Sequence, residues 1–288
     1  MGMTASWCVL DADGSVVEEQ RADECQPTAS VGKVFLLCEI AERIARGDLD
    51  PMVPIERRPD VAVADSGLWQ HLVQDRLPLV DACILIAAVS DNWATNMLLE
   101  LVGLDAVAER AASLGCVSSG LRDRVRDARG PGDPPTLSTG TARELAGVAL
   151  RIDRAATGHD AQGLSSDAAR LVARWLRTGV DLSLVADAFS LDPLAHVEGA
   201  LHLWNKTGWD TCVRADMGAA SIHGESIAYA AIVAWDPGDA VGREAYDVPR
   251  ALGARIAAQL RRPGAGSVTG DPGTPAAIVR ERVRPRPD

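Results

Sequence analysis

Ser30 and Lys33 are spaced for nucleophilic chemistry. They are followed by the apolar run 34–38, which predicts a buried helix. If this helix begins at Ser30, Lys33 lies on the same face, with its amine toward the serine hydroxyl. A serine hydroxyl needs a neighbour to take its proton, and lysine does so when burial or a nearby cation lowers its pKa. The pair therefore predicts a serine nucleophile beside a lysine base.

The only two lysines of the chain occupy informative positions. Of 29 basic residues, all except Lys33 and Lys206 are arginine. Arginine keeps its proton in proteins, whereas the pKa of a buried lysine falls readily. The second lysine begins Lys206-Thr207-Gly208, and the segment Ser90-Asp91-Asn92 starts sixty residues after Ser30. A genome rich in G and C explains why lysine is scarce, but it does not explain these positions.

The composition limits the classes of partner. The 288 residues, 47% of them hydrophobic, suffice for a large core, and the net charge of −11 argues against nucleic acid or an anionic membrane as partner. The first ten residues lack the pattern of an export signal, so we expect a cytoplasmic protein. Six cysteines and five histidines are scattered without ligand spacing, and we expect no metal and no cofactor.

Hydrophobic periodicity predicts a mixed α/β chain. Residues 7–10 and 15–19 predict a hairpin around the turn 11–14, with acidic residues and a glycine at its tip. Alternation predicts three more strands near the C-terminus, joined by Gly208-Trp209-Asp210 and His223-Gly224-Glu225. These strands are predicted at 201–206, 213–219 and 227–235. Helices are predicted at 30–46 with Gly47 as C-cap, and at 68–73, 80–89, 92–102, 104–114, 141–152, 167–176 and 246–261.

The order of these elements predicts one domain over residues 1–262. Strands from both chain ends form an antiparallel sheet, about residues 1–28 and 200–262, beside a helical part, about 29–199. Residues 263–288 are rich in proline, glycine and arginine, and we expect a disordered tail. The long polar loop 120–140 is of a kind that is usually functional.

The three motifs resemble, in the same order, those of the penicillin-recognising serine enzymes, the class A β-lactamases and penicillin-binding proteins. They are Ser30-x-x-Lys33, Ser90-Asp91-Asn92 and Lys206-Thr207-Gly208, and the similarity extends from about residue 6 to 261. The resemblance implies a β-lactamase/transpeptidase-like fold and an acyl-enzyme mechanism on a small-molecule acyl substrate.

The resemblance also implies a role for each motif residue. Ser30 would be acylated, and Lys33 would accept its proton directly or through water. Ser90 would pass a proton to the leaving group, and Lys206 would hold Ser90 and add positive potential. Asn92 would bond Lys33 and a substrate amide. We expect Asp91 to cap its loop.

A second set of residues is expected to bind the substrate. The resemblance implies an oxyanion hole made by the backbone N–H groups of Ser30 and Trp209, the latter just beyond Gly208. Thr207 and Arg214 match positions that bind a substrate carboxylate. A surface salt bridge is the alternative interpretation of Arg214.

One departure from the family pattern concerns deacylation. In class A β-lactamases a loop glutamate activates the water that hydrolyses the acyl-enzyme, but residues 117–143 contain no glutamate. The carboxylates there belong to Asp123, Asp127 and Asp133, each one methylene shorter. We take Asp127 and Asp123 as candidates for the deacylating group, although neighbouring arginines offer them ion pairs instead.

We therefore expect an intracellular serine hydrolase or acyltransferase that acts on an amide, ester or lactam, with a small metabolite as substrate. One alternative is a genuine, weak class A β-lactamase that uses a loop aspartate. Another is a catalytically inactive binding protein on the same fold. We expect a monomer, while a homo-oligomer and the choice of water or an amine as acyl acceptor stay open.

Overall fold

Strands from both ends of the chain pair in the computed structural model, which describes residues 2–159, 162–193 and 200–262. The strands are β1 (Thr4–Asp11), β2 (Val16–Gln20), β3 (Gln26–Pro27), β4 (Pro54–Glu56), β5 (Arg76–Pro78), β6 (Gly120–Leu121), β7 (Ser138–Gly140), β8 (Leu201–Asp210), β9 (Val213–Ile222) and β10 (Glu225–Ala234). The helices are α1 (Lys33–Arg46), α2 (Leu79–Val89), α3 (Asn92–Val102), α4 (Leu104–Ser113), α5 (Ala142–Ala156), α6 (Ser166–Leu176) and α7 (Glu244–Leu260).

The main sheet has five antiparallel strands in the order β2-β1-β10-β9-β8. The N-terminal hairpin therefore pairs with the last strand, as expected for a sheet built from both chain ends. Strand β8 lies at the edge, with Lys206 opposite Met217 and Trp209 opposite Arg214 on β9. An edge strand has backbone groups unpaired on one side, so β8 can offer amide groups to a ligand.

Alternate residues of the central strand β10 face two different cores. Ala228, Ala230 and Ile232 belong to the large core shared with the helices. Tyr229 and Ala231 belong to a smaller core that includes Leu252 of α7. The period of two follows from strand geometry, and it places helices on both faces of the sheet.

Helix α1 lies at the centre of the helical part, as its sequence predicts. Every residue from Lys33 to Glu42 is buried, and the helix ends at Arg46 with Gly47 in the left-handed conformation (φ 80°). Buried Glu39 is paired with Arg43 and with Arg110 of α4. The helix that begins beside Ser30 is therefore fixed on all sides.

Two local predictions are wrong. Residues 68–73 form only a 3₁₀ turn, Trp69–His71. The Asp91 carboxylate accepts the backbone N–H groups of Leu68 and Trp69 at its start, and Arg57 donates to the Trp69 carbonyl, an acceptor that a longer helix would use. The segment predicted to connect the first two C-terminal strands, Gly208-Trp209-Asp210, continues β8, because its backbone stays paired with β9. The predicted disordered tail, 263–288, lies outside the described residues.

The length and apolarity of a helix decide whether it can cross a membrane. Within the described ranges, none is both long enough and apolar enough to cross a bilayer. The same residues contain no cluster of three or more histidine, cysteine or acidic side chains placed to hold a metal ion.

Candidate active site

Ser30 lies in a tight turn whose backbone is fixed by hydrogen bonds from neighbouring residues. The turn is the 3₁₀ segment Ala29–Gly32, directly before α1, and Ala29 adopts a positive φ of 48° that is unfavourable for alanine. The Ser138 hydroxyl donates to the Ala29 carbonyl and lies 2.7 Å from the Thr28 hydroxyl. Strand β7 thus fixes a strained turn that presents Ser30, half-buried, to solvent.

The edge strand β8 packs against this turn at Gly208. A Cβ atom there would lie 2.3 Å from the Thr28 carbonyl oxygen and 3.1 Å from the Ser30 backbone nitrogen. Only glycine permits such a close approach of two backbones. The amide of Ser30 and the edge of β8, where Trp209 follows Gly208, are therefore adjacent, as the predicted oxyanion hole requires.

The Lys33 side chain is completely buried and fully hydrogen-bonded. Its Nζ atom donates to Asn92 Oδ1 at 2.7 Å, to the Ser90 carbonyl oxygen at 2.6 Å and to the Ser90 hydroxyl at 3.2 Å. Two of the three predicted motifs thus meet at one nitrogen atom. The contact to the Ser90 hydroxyl offers a route for a proton between Lys33 and Ser90.

Burial lowers the pKa of both lysines. Burial, with the positive charge of Lys206 second, places the pKa of Lys33 well below its ordinary value. Burial lowers the pKa of Lys206 to about 8, although Asp181 and Asp216 oppose this effect. Lys33 therefore reaches its neutral form more readily than Lys206, and it is the better candidate for a general base.

Asn92 and Asp91 fasten the opposite wall of the site. Asn92 Nδ2 donates to the Ala64 carbonyl, and the Asn92 backbone N–H donates to the Ser66 carbonyl. Asp91 caps α3 through the Ala94 N–H, which confirms its predicted capping role. The middle motif therefore connects the loop 64–69 to Lys33 through Asn92.

A buried polar network supports Lys206 from behind. Asn205 Nδ2 donates to Asp216 Oδ1 and to the Asp181 carbonyl oxygen. The other Asp216 oxygen accepts the Val185 N–H, and burial raises the pKa of this carboxyl well above its usual range. Lys206 Nζ itself donates to the Thr207 carbonyl at 2.8 Å. The network fixes the strand that carries the third motif.

Trp209 and Arg214 form the outer end of the site. The Arg214 guanidinium lies 4.2 Å from the centroid of the Trp209 ring, a cation–π contact, and Trp209 Nε1 donates to Asp181 Oδ2 at 2.7 Å. No salt bridge of Arg214 occurs within the described residues. The predicted carboxylate-binding role of Arg214 stays a prediction, with its charge placed at the mouth of the site.

Six of the predicted site residues line one cleft of about 570 Å³, whereas Lys33, Asn92 and Gly208 are not part of its lining. Ser30, Ser90, Lys206, Thr207, Trp209 and Arg214 all contribute to its wall. Asp65, Ser66 and Asp181 line it as well, and sequence reasoning missed them. Asp65 has a backbone φ of 74°, and its neighbours in the sequence are those of an ordinary turn. The charge of its carboxylate raises the pKa of Lys33. No pattern in the sequence marks these three residues.

The two candidate deacylating aspartates do not line this cleft. Asp123 is buried and bonded to Arg126 and Arg129, whose hydrogen bonds to the carboxylate keep its pKa low against the effect of burial. Asp127 is exposed and accepts the Ala64 N–H at 3.1 Å, behind the wall formed by residues 64–66. Their role in deacylation stays a prediction.

Comparisons with known proteins concern the family and the fold of this chain. The model of the β-lactamase enzyme family matches residues 1–260. A β-lactamase from Sphaerobacter thermophilus is 24% identical, with 91% of this chain and 94% of that chain covered and a TM-score of 0.75. PBP-A is 19% identical over 90% of both chains, with a TM-score of 0.74. A class A β-lactamase from Mycobacterium abscessus is 20% identical over 90% of this chain and 94% of that chain, with a TM-score of 0.72. A search of curated proteins finds no match.

Proposed function

Because the chain belongs to the β-lactamase enzyme family, we propose that it is a serine hydrolase or acyltransferase that forms an acyl-enzyme on Ser30. One observation carries the proposal. The wholly buried Lys33 amine, one helical turn from Ser30, donates to the Ser90 hydroxyl and to Asn92, and β8 packs against the Ser30 turn at Gly208. A protein that only binds ligands has no need of a buried lysine with a depressed pKa.

Acylation follows from these positions. Neutral Lys33 takes the proton of the Ser30 hydroxyl, and the Ser30 oxygen forms a bond to the carbonyl carbon of the substrate. The backbone N–H groups of Ser30 and Trp209 stabilise the oxyanion. When the carbon–nitrogen or carbon–oxygen bond of the substrate breaks, Ser90 gives its hydroxyl proton to the leaving group. Ser90 then regains a proton from Lys33, 3.2 Å away.

Lys206 has a different role from Lys33. It is buried beside the cleft, and with a pKa of about 8 it is mostly protonated at neutral pH. Its charge depresses the pKa of Lys33 and adds positive potential where the oxyanion develops. The charge of Lys206 thus favours both the neutral base and the negative transition state.

Deacylation is the step for which the chain lacks the usual group. Residues 117–143 contain no glutamate, and Asp123 is held by two arginines. Transfer of the acyl group to water or to an amine should therefore limit turnover of β-lactams. The proposed substrate is a small intracellular metabolite with an amide, ester or lactam bond. Six free cysteines, four of them buried, fit a reducing compartment.

A weak class A β-lactamase is the second candidate. One observation favours it: Asp127 accepts the backbone N–H of Ala64, the residue directly before Asp65 and Ser66, which line the cleft. A small movement of residues 64–66 would bring this carboxylate nearer the acyl group. In that case Asp127 would activate the hydrolytic water.

Rapid-mixing kinetics with a p-nitrophenyl ester and with nitrocefin test the proposal. We expect a burst of one product per enzyme followed by slow turnover, and hydroxylamine should raise the slow rate if an amine can accept the acyl group. Ser30→Ala should lose the burst, whereas Ser66→Ala, a serine in the same cleft, should keep it. Fast nitrocefin turnover that Asp127→Asn abolishes would favour the β-lactamase. Absence of both a burst and turnover with either substrate would contradict both candidates.

A further inference from the structure

A second cleft, of about 830 Å³, lies between α5, α6 and the end of the main sheet where β8 begins. It shares no lining residue with the cleft that contains Ser30. Clefts of this size accommodate small organic molecules. The proposed chemistry at Ser30 makes no use of it.

The rim of this second cleft is strongly basic. Arg154 of α5, Arg170 and Arg174 of α6, and Arg177, which directly follows α6, contribute to its lining. The chain as a whole carries a net charge of −11, so this concentration of positive charge is against the overall balance. Two carboxylates, Asp13 and Asp153, line the cleft with the four guanidinium groups, and Asp167 pairs with Arg170 from outside the lining. The charges that no carboxylate of the described residues pairs with are therefore those of Arg154 and Arg174.

The partners of these charges leave positive charge available. The Asp153 carboxylate already accepts the Ser226 hydroxyl at 2.7 Å and the Trp204 indole N–H at 3.4 Å. Arg154 donates to the Ala12 carbonyl, which supplies no compensating charge. Arg174 is exposed and makes no hydrogen bond or ion pair with any residue that the structure describes. An anion in the cleft would meet guanidinium groups able to bind it through paired N–H donors.

The floor of the cleft is apolar. Leu150 and Ala156 of α5, Ala173 of α6 and the largely buried Trp204 of β8 form it. An indole beneath a basic rim suits a ligand that has a flat or acyl body and a charged end. We propose that this cleft binds a small organic anion, a carboxylate or phosphate on an aromatic or short acyl body, with its charge at Arg154 and Arg174.

Isothermal titration calorimetry of the full chain tests this site without any need for catalysis. The probes are 2-naphthoate, 2-naphthyl phosphate and the neutral 2-naphthamide. We expect saturable binding of at least one anion, at least about tenfold tighter than that of the amide. A preference between the two anions identifies the charged group that the site selects.

Variants locate the binding. Arg174→Gln should weaken it about tenfold, because Arg174 supplies a charge that no residue of the described chain neutralises. Arg151→Gln, the same change on α5 outside the cleft lining, should leave it unchanged. The proposal is overturned if anion and amide bind alike, if no binding saturates, or if Arg174→Gln binds as well as wild type. Loss of binding in Arg214→Gln alone would place the anion in the Ser30 cleft instead, and would also overturn it.

Discussion

The Lys33 Nζ atom lies 2.6 Å from the main-chain carbonyl oxygen of Ser90, a residue whose backbone adopts the left-handed conformation (φ 57°). The same conformation leaves the Ser90 hydroxyl 3.2 Å from Nζ. A serine costs energy in this region, since its Cβ crowds the backbone. This unfavourable conformation places both the carbonyl and the hydroxyl of Ser90 beside the Lys33 amine.

This relationship predicts that two substitutions of Ser90 have the same effect on catalysis but different effects on stability. Both Ser90→Gly and Ser90→Ala remove the hydroxyl, so both should lose proton delivery to the leaving group. Only glycine relieves the backbone, and we expect Ser90→Gly to be about 1 kcal/mol more stable than Ser90→Ala. Urea denaturation and burst kinetics on the two variants measure this. Equal stability would show that the positive φ is not strained.

The rate of acylation should depend on pH through both lysines. Lys33 must be neutral, so the rate should rise with pH through its depressed pKa. Lys206 must be charged, so the rate should fall again as the pH passes about 8. A burst rate that keeps rising to pH 10 would contradict the role of Lys206.

The charge of Asp65 provides a control on the acid limb. Asp65 raises the pKa of Lys33, so Asp65→Asn should lower that pKa further and move the acid limb to lower pH. Asp105→Asn, the same charge change at an exposed position on α4, should leave the limb in place. Movement to higher pH in Asp65→Asn would show that Lys33 is not the titrating base.

Gly208→Ala tests the contact between β8 and the nucleophile turn. The added Cβ would lie 2.3 Å from the Thr28 carbonyl oxygen, so the strand must move away from Ser30. Because one oxyanion donor contributes a factor of about 100 or more, we expect acylation to fall about 100-fold. Gly242→Ala, where the Cβ meets no atom within 4 Å, should behave as wild type. An unimpaired Gly208→Ala would mean that the Trp209 N–H does not bind the oxyanion.

Lys206→Met should stabilise the fold while acylation is lost. A pKa lowered from 10.5 to about 8 means that the charged form is unfavourable in the folded protein. At pH 7 we expect the variant to gain about 1–3 kcal/mol in the free energy of unfolding. The wild type recovers this difference as the pH rises from about 8 to 10.5, because the unfolded chain binds more protons in that window. Denaturation at pH 7 and pH 10 checks the sign, and a less stable variant at pH 7 would contradict it.

Local signals in the sequence predicted most of the fold. The helix from Lys33 to Arg46 has its stop signal in Gly47, and three strands follow residue 200 as the sequence predicts, although both of their faces are buried. The errors occur where a distant group decides the structure. Asp91 captures the N–H groups of Leu68 and Trp69, and β9 extends β8 through Trp209.

The motif residues of the site were predictable because their positions along the chain mark them, whereas the residues brought in by tertiary contacts were not. The motifs name the groups that meet at Lys33, and spacing along the chain shows which helix or strand carries each. The Asp65 side chain lines the cleft only because Asn92 anchors the backbone of Ala64 and Ser66 across space. Asp127 lies behind that wall for a tertiary reason as well, its bond to the Ala64 N–H.

The most direct test of the account is the intact mass of the protein after incubation with penicillin G and with a p-nitrophenyl ester, followed by peptide mapping. The account predicts a persistent adduct of one acyl group on Ser30 in wild type and in Ser66→Ala, and none in Ser30→Ala. An adduct that survives in Ser30→Ala, or no adduct with either reagent, would contradict the claim that Ser30 is the acylated nucleophile.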